Sequence, residues 1–293
     1  MAKLFGFAQF DFAGALTLAD GRYLARDPED EGAESVLVIR TLGAARPPAR
    51  RRRRARAADP GADGKPLPLT RATAIRAFAP FADSAEAERW LEQATADEEG
   101  ADTIVVTGIA LLNRALHAQA VAAADPHTHE LTPERAVAVR IGFGSGEQTA
   151  DGEYTDAREI DVQAGGASRR RRRQEDLSPQ ERVAAVLGGR ERVDACETLL
   201  LRARADLDAG REREAALQLR VGVEALLAEL PAGAVADPGH ENDVGVLQER
   251  RQEVGQGANE ALEGDLGPER AEALGDLLEI AERILRRRRV LRG

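Results

Sequence analysis

The spacing of apolar residues changes near residue 178, and this change constrains the fold more than any other feature. Before it, short apolar runs such as residues 4–12 and 35–40 alternate with turn residues, which is typical of strands. After it, apolar residues recur every three or four positions over residues 193–207, 216–230 and 271–285, which is typical of amphipathic helices. The sequence therefore predicts an α+β protein, in which a mixed sheet-and-helix domain precedes an all-α helical bundle.

Two stretches of biased composition divide the chain. Residues 43–69 collect prolines, glycines and an arginine run, which predicts a disordered loop. Residues 164–177 combine small residues with a second arginine run, and Ser178-Pro179 with Glu181 is a typical helix start. We expect an α+β domain over residues 1–163, an Arg-rich linker over 164–177 and a helical domain over 178–293.

Local signals place several elements of the first domain. The opening strands and the Asp20-Gly21 turn between them predict a β-meander. A strand is predicted over residues 73–78, a helix after Asp83 and a second helix over 102–124. Thr132-Pro133 predicts a single helical turn, followed by a strand over 137–143.

In the second domain, Gly210 separates two helical segments without room for a long loop, which predicts an antiparallel helical hairpin. Residues 242–262 predict a further helix, weakened by three glycines that each cost about 1 kcal/mol relative to alanine.

Composition excludes some classes of protein. One cysteine, Cys196, cannot form an intrachain disulfide, and its apolar neighbours predict a small buried hydrophobe. The apolar run over residues 104–112 is shorter than the roughly 20 residues that cross a bilayer. The N-terminal apolar run is too interrupted for a signal peptide. We expect a cytoplasmic chain without a membrane partner.

Arginine blocks are the most unusual feature of this chain of net charge −10. Concentrated arginines on an acidic body suit contacts with the phosphates of nucleic acid or with another polyanion. The alternative is that they are solvated loop tracts. The candidate polyanion-binding residues are Arg50, Arg51, Arg52, Arg53, Arg54, Arg169, Arg170, Arg171, Arg172 and Arg173.

Residues 3–10 resemble the aromatic octamer of RNA-recognition motifs, with matches at Lys3, Phe5, Gly6, Phe7 and Phe10. The octamer departs from the motif at Leu4 and Ala8, and it lies at the N-terminus rather than on a third strand. Phe5 and Phe7 would form a base-stacking surface if the strand were exposed. Core packing on both faces of the strand is the favoured interpretation.

Three histidines, His117, His127 and His129, lie close together in sequence and are suitable ligands for zinc. No thiolate is nearby and the HExxH spacing is absent. A solvated polar loop is therefore favoured over a metal site at these residues.

The glycines of residues 142–146 follow a strand, as phosphate-binding loops do, but Glu147 replaces the third glycine of the dinucleotide fingerprint and no Walker lysine follows. The segment predicts a glycine-rich hairpin or bulge.

No motif names a catalytic residue or a cofactor. The leading expectation is a non-enzymatic protein-interaction or self-assembly protein that binds a protein partner or its own copies. The alternatives are nucleic-acid or other polyanion binding through the Arg blocks, and a metal-dependent hydrolase in which Glu130 acts as general base beside the histidines.

Overall fold

The structure is a computed structural model that describes residues 3–26, 34–43, 68–162, 179–230 and 237–292. The chain divides into two compact units, Met1–Ser168 and Arg169–Gly293, and each is described by itself. The first unit is built on a sheet and the second from helices, which confirms the predicted α+β class.

Six antiparallel strands form the sheet of the first unit, in the order β2-β3-β4-β1-β5-β6. Their bounds are β1 Leu4–Ala13, β2 Gly21–Arg26, β3 Glu34–Leu42, β4 Leu69–Ile75, β5 Ala138–Ser145 and β6 Asp156–Glu159.

The predicted opening β-meander is wrong. β1 pairs with β4 and β5, whereas β2 pairs with β3. The physical reason is burial, since seven consecutive residues of β1 are buried and such a strand belongs in the middle of a sheet, covered on both faces. β4 also begins earlier than the predicted strand at residues 73–78 and ends at Ile75.

Two helices, α1 at Ser84–Ala94 and α2 at Glu98–Ala123, pack on one face of the sheet. Both begin at aspartates, because Asp83 accepts from the backbone N–H of Glu86 and Asp97 from that of Gly100. A 3-10 helix follows at Pro133–Arg135, as predicted, and a short helix, α3, spans Gly146–Ala150.

The first hydrophobic core lies between the sheet and the inner sides of α1 and α2. Phe10, Ile39 and Ile141 of the sheet pack in one cluster with Leu91 and Leu112 of these helices. α2 packs closely on the sheet at Gly108, where an added Cβ would lie 2.7 Å from the Cβ of Ala8. Only glycine allows this approach.

The apolar character of α2 extends beyond the run over residues 104–112. Of the described helices it alone is long and apolar enough to cross a membrane by length and composition, and 28% of its most apolar window is buried. Its buried residues, which include Val105, Ile109, Leu112 and Leu116, recur at helical spacing and pack against the sheet.

Six described helices form the second unit: α4 Pro179–Leu187, α5 Ala195–Asp208, α6 Glu212–Glu229, α7 Pro238–Glu249, α8 Arg251–Glu263 and α9 Pro268–Arg292. Their core is mainly leucine, including Leu200, Leu219, Leu226, Leu247 and Leu277. The predicted helix over residues 242–262 is divided at Arg250 between α7 and α8.

The predicted helical hairpin is present as α5 and α6. Gly210, with a φ of +69°, makes the turn between them, a conformation that glycine adopts at little cost. Gly222 of α6 lies against Leu200 of α5, whose Cδ2 would be 2.9 Å from an added Cβ. This contact brings the two helices close together.

Candidate functional site

The outer face of α2 is the exposed side of the helix opposite the sheet, formed by Glu99, Thr103, Val106, Thr107, Ala110 and Arg114. At 100° per residue these positions fall within an arc of about 100°. All six are exposed, and the side chain of Val106 is 59% exposed. They form one continuous stripe along residues 99–114 of the helix, and the same arc continues beyond Arg114 to Val121, which is 69% exposed.

The stripe carries charge only at its two ends. Residues 103–113 contain no charged side chain, and none of the other described helices has an uncharged run as long. Glu99 is the acid at one end and Arg114 the base at the other. Surface helices of globular proteins normally place charged residues on their solvent side, so this face differs from an ordinary solvated one.

The polar groups inside the stripe are satisfied within the helix. The Thr103 hydroxyl donates to the carbonyl oxygen of Glu99 at 2.9 Å, and the Thr107 hydroxyl donates to that of Thr103 at 2.8 Å. If a partner covered these threonines, each hydroxyl proton would still have its acceptor within α2. The usual free-energy penalty for burying an unpaired polar group therefore does not arise.

The opposite face of the sheet holds an ionic cluster around Asp11, near the C-terminal end of β1. Asp11 is 4% exposed. From β4, Arg71 donates through Nε to Oδ1 at 2.8 Å and through Nη2 to Oδ2 at 3.0 Å. From β5, Arg140 donates through Nη1 to Oδ2 at 2.7 Å. Two cations thus hold one buried carboxylate.

These contacts keep Asp11 ionised. Burial acts to raise the pKa of Asp11, but the hydrogen bonds and charges of Arg71 and Arg140 outweigh it and hold the pKa below its ordinary value. The hydrogen bonds that Arg71 donates to Asp11 raise the pKa of Arg71. A carboxylate in this state is a poor proton acceptor at neutral pH, so the cluster is suited to holding strands together rather than to acid–base catalysis.

Hydrogen bonds and ion pairs hold the segment that joins β5 to β6 against this cluster. The carbonyl oxygen of Gly152 accepts from Gln9 Nε2 at 3.0 Å and from Arg71 Nη1 at 3.2 Å. Next to it, Asp151 pairs with Arg40, and it lies 3.5 Å from Arg22 Nη2. Gln9 also donates to Thr73 Oγ1, while its own Oε1 is buried without a partner among the described residues.

The octamer on β1 belongs to the core. Phe7 is fully buried beside Val38 and Ile75, and Phe5 is partly buried against the same cluster. The residues that an RNA-recognition motif would expose for stacking are therefore packed in the protein. The favoured interpretation, core packing on both faces, is confirmed.

The structure does not gather the three histidines into a metal site. His117 lies on α2, whereas His127 and His129 lie in the segment that follows it. Asp125 accepts from the backbone N–H of His127 and from the Thr128 hydroxyl; the first of these bonds is the main cause that lowers the Asp125 pKa. Within the described ranges no group of three His, Cys, Asp or Glu side chains is placed to hold a metal ion.

The candidate polyanion-binding arginines lie outside the described residues, since both blocks, 50–54 and 169–173, fall in the gaps at 44–67 and 163–178. Binding of nucleic acid by them stays a prediction. A further arginine run, residues 286–289, lies near the end of α9. There the guanidinium groups of Arg287 and Arg288 pair with Asp243 and Asp194.

The glycine-rich segment after residue 141 is neither a phosphate loop nor a simple hairpin turn. Gly142 and Gly144 lie within β5, and an added Cβ on Gly142 would be 2.5 Å from the carbonyl oxygen of Asp156. Ser145 then caps α3 in a capping box with Gln148. These glycines allow β6 to approach.

Cys196 is buried, which confirms the sequence prediction. Burial, together with the nearby carboxylate of Glu229, raises the pKa of its thiol to about 12. Because the thiolate is the reactive form, this cysteine is chemically inert in the folded unit.

Sequence reasoning missed the outer face of α2. The signal was present, because residues 103–113 carry no charge, but apolar residues all round a helix can equally mean burial on every side. Only the position of α2 in the structure, with one side on the sheet and the other exposed, distinguishes an exposed face from burial on every side. Comparison of the chain with protein-family models, with curated proteins and with solved structures found no match.

Proposed function

We propose that the chain is a non-enzymatic self-assembly protein and that two copies associate through the outer face of α2. One observation carries the proposal: an exposed helix face that is uncharged over residues 103–113 and has Val106 at its centre, 59% exposed. Removing apolar surface from water favours association, by about 25 cal/mol for each Å² buried.

The size of the side chains supports a helix as the partner structure. Thr103, Thr107 and Ala110 are small, so a second helix can approach toward the short end of the usual 8–10 Å interaxial range. Both threonine hydroxyls already donate within α2, so their burial costs little.

The charge balance supports a second copy as the partner. The whole chain has a net charge of −10, so two copies repel each other as they approach. The outer face of α2 carries one acid and one base over residues 99–114 and is neutral there. Contact between copies at this face therefore adds no excess of like charge to that overall repulsion.

The test is sedimentation velocity of the full chain over a range of concentrations. We expect the parent protein to shift from monomer to dimer as its concentration rises, and Val106→Glu to stay monomeric because it places an unpaired carboxylate in the interface. The matched control is Val221→Glu on α6, where the valine is 54% exposed. It should associate like the parent.

Circular dichroism would establish that both variants fold. A parent chain that remains monomeric at every concentration, or a folded Val106→Glu chain that associates as strongly as the parent, would rule the proposal out.

A further inference from the structure

We propose that the two copies of α2 pair antiparallel about a two-fold axis, with Glu99 of each copy against Arg114 of the other. The inference rests on the proposed function and adds to it the partner's orientation and register. It follows from the order of the residues along the outer face.

The outer face reads as a palindrome about the point between Val106 and Thr107. Two-fold antiparallel pairing about that point brings Glu99 opposite Arg114, because the two lie at equal distances on either side of it. It brings Thr103 opposite Ala110, and Val106 opposite Thr107. All six residues are exposed. Each acid therefore meets a base, and each small or apolar residue meets another.

A parallel pair would have the opposite electrostatics. It would place Glu99 against Glu99 and Arg114 against Arg114, and like charges directly opposite each other disfavour association. The two ends of the stripe are about 22 Å apart at 1.5 Å per residue, so neither charge can compensate at the other end. The charges thus select the antiparallel direction.

Both charged groups are available for the contact. Within the described part of the chain the Glu99 carboxylate makes no ion pair or hydrogen bond. Arg114 donates from Nη2 to the carbonyl oxygen of Arg26 at 3.2 Å. A guanidinium has five N–H donors, so others remain for a carboxylate. The Arg26 contact also restricts the Arg114 side chain.

The expected interface is small, because it consists of one helix stripe from each copy, and small interfaces belong to weak or transient complexes. Exposed ion pairs contribute up to about fivefold in affinity each, or about 1 kcal/mol, and like charges in their place oppose association. Reversal of one charge per copy should therefore have a measurable effect on association.

The experiment uses charge reversals in the full chain. Glu99→Arg places arginines at both ends of the stripe, and Arg114→Glu places glutamates at both ends. Each variant alone should dimerise at least about tenfold more weakly than the parent, because like charges then meet at both ends. The double variant Glu99→Arg/Arg114→Glu should dimerise like the parent. Glu272→Arg, an exposed reversal on α9, is the matched control.

Mixing the two single variants gives the decisive measurement. Arginines on one chain then face glutamates on the other, so native mass spectrometry of isotopically distinguished chains should find heterodimers above the statistical share. High salt should reduce this excess, since it screens exposed charges.

The outcomes separate the two proposals. If Val106→Glu abolishes dimers but the mixed variants show no heterodimer excess, α2 is the interface and the antiparallel register is wrong. If the parent forms no dimer, the proposed function fails and this inference fails with it. If the single charge variants dimerise as the parent does, the Glu99–Arg114 contacts are absent.

Discussion

Gly108 of α2 lies so close to Ala8 of β1 that a Cβ on the glycine would be 2.7 Å from the alanine Cβ, and 3.1 Å from Cε2 of Phe10. At Gly108 the backbone of α2 thus packs directly on the side chains of Ala8 and Phe10 of β1. Its distance from the sheet is set at that point, and the outer face takes its position from it.

Gly108→Ala should therefore destabilise the first unit. Alanine is a better helix former by about 1 kcal/mol, but overpacking costs about 1–3 kcal/mol, and here both contacting atoms belong to buried residues. We expect a lower melting temperature. The matched control is Gly255→Ala on α8, where an added Cβ meets no atom within 4 Å. Gly255→Ala should have a higher melting temperature than the parent. A higher melting temperature for Gly108→Ala as well would contradict the close contact at Gly108.

Asp11→Asn should destabilise the sheet by about 3 kcal/mol, because it leaves the partly buried guanidinium groups of Arg71 and Arg140 without their shared countercharge. The comparison is Asp151→Asn, whose side chain is 53% exposed in its pairs with Arg40 and Arg22. It should cost less than about 1 kcal/mol. Urea titration measures both, and equal losses would show that burial of the Asp11 carboxylate does not matter.

The contribution of Asp11 should also depend on pH. Its pKa is lower in the folded chain than in the unfolded one, where the ordinary value is about 3.9. The stabilisation is therefore fully present above the unfolded pKa and is lost as pH falls through the folded pKa. We expect the stability gap between parent and Asp11→Asn to be constant near neutral pH and to narrow below about pH 4. A gap that widens on acidification would have the wrong sign.

Cys196 should react with a thiol reagent only after unfolding. Burial raises the pKa of its thiol to about 12, so at pH 8 almost none is thiolate. Labelling with a chromogenic disulfide should be slow in the native protein and fast in guanidinium. Rapid native labelling would show that α5 opens readily at its N-terminal end.

The arginine blocks carry a separate prediction. If they bind nucleic acid, affinity for fluorescent single- and double-stranded probes should fall steeply with salt, through counterion release. Replacement of residues 50–54 and 169–173 by glutamine should remove both the binding and its salt dependence. The matched comparison is Val221→Glu, which adds a charge on α6 away from both the arginine blocks and the outer face of α2 in sequence, and should leave this binding intact. Absence of binding at low salt in the parent would leave the blocks as linkers.

Local patterns in the sequence predict the helices and strands well, but they predict poorly which of these pack or pair with one another. The helical periods of residues 193–207 and 216–230 and the turn at Gly210 are local signals, and they predict the α5–α6 hairpin. The pairing of β1 is not local. The Asp11 cluster joins residues 60 and 129 positions apart, and no spacing rule connects Asp11 with Arg71 or Arg140 in advance.

The glycines of β5 show a second limit. Gly142 and Gly144 predict a glycine-rich hairpin or bulge by composition, because glycine is common at both. Their actual role depends on β6, whose backbone comes within 2.5 Å of an added Cβ on Gly142. A close approach by a distant segment has no local signature in the sequence. The sequence therefore singled out these glycines but predicted the wrong structural role for them.

The central position of β1 also affects the order of folding during synthesis. β1 ends at Ala13, but its neighbours are β4, which begins at Leu69, and β5, which begins at Ala138. At about 5–20 residues per second, several seconds pass before the first neighbour has been made. During that time one of the most apolar strands of the chain has no strand to pair with. The ribosome-bound chain therefore exposes an aggregation-prone segment, and its solubility in that interval depends on chaperones or on the acidic residues around it.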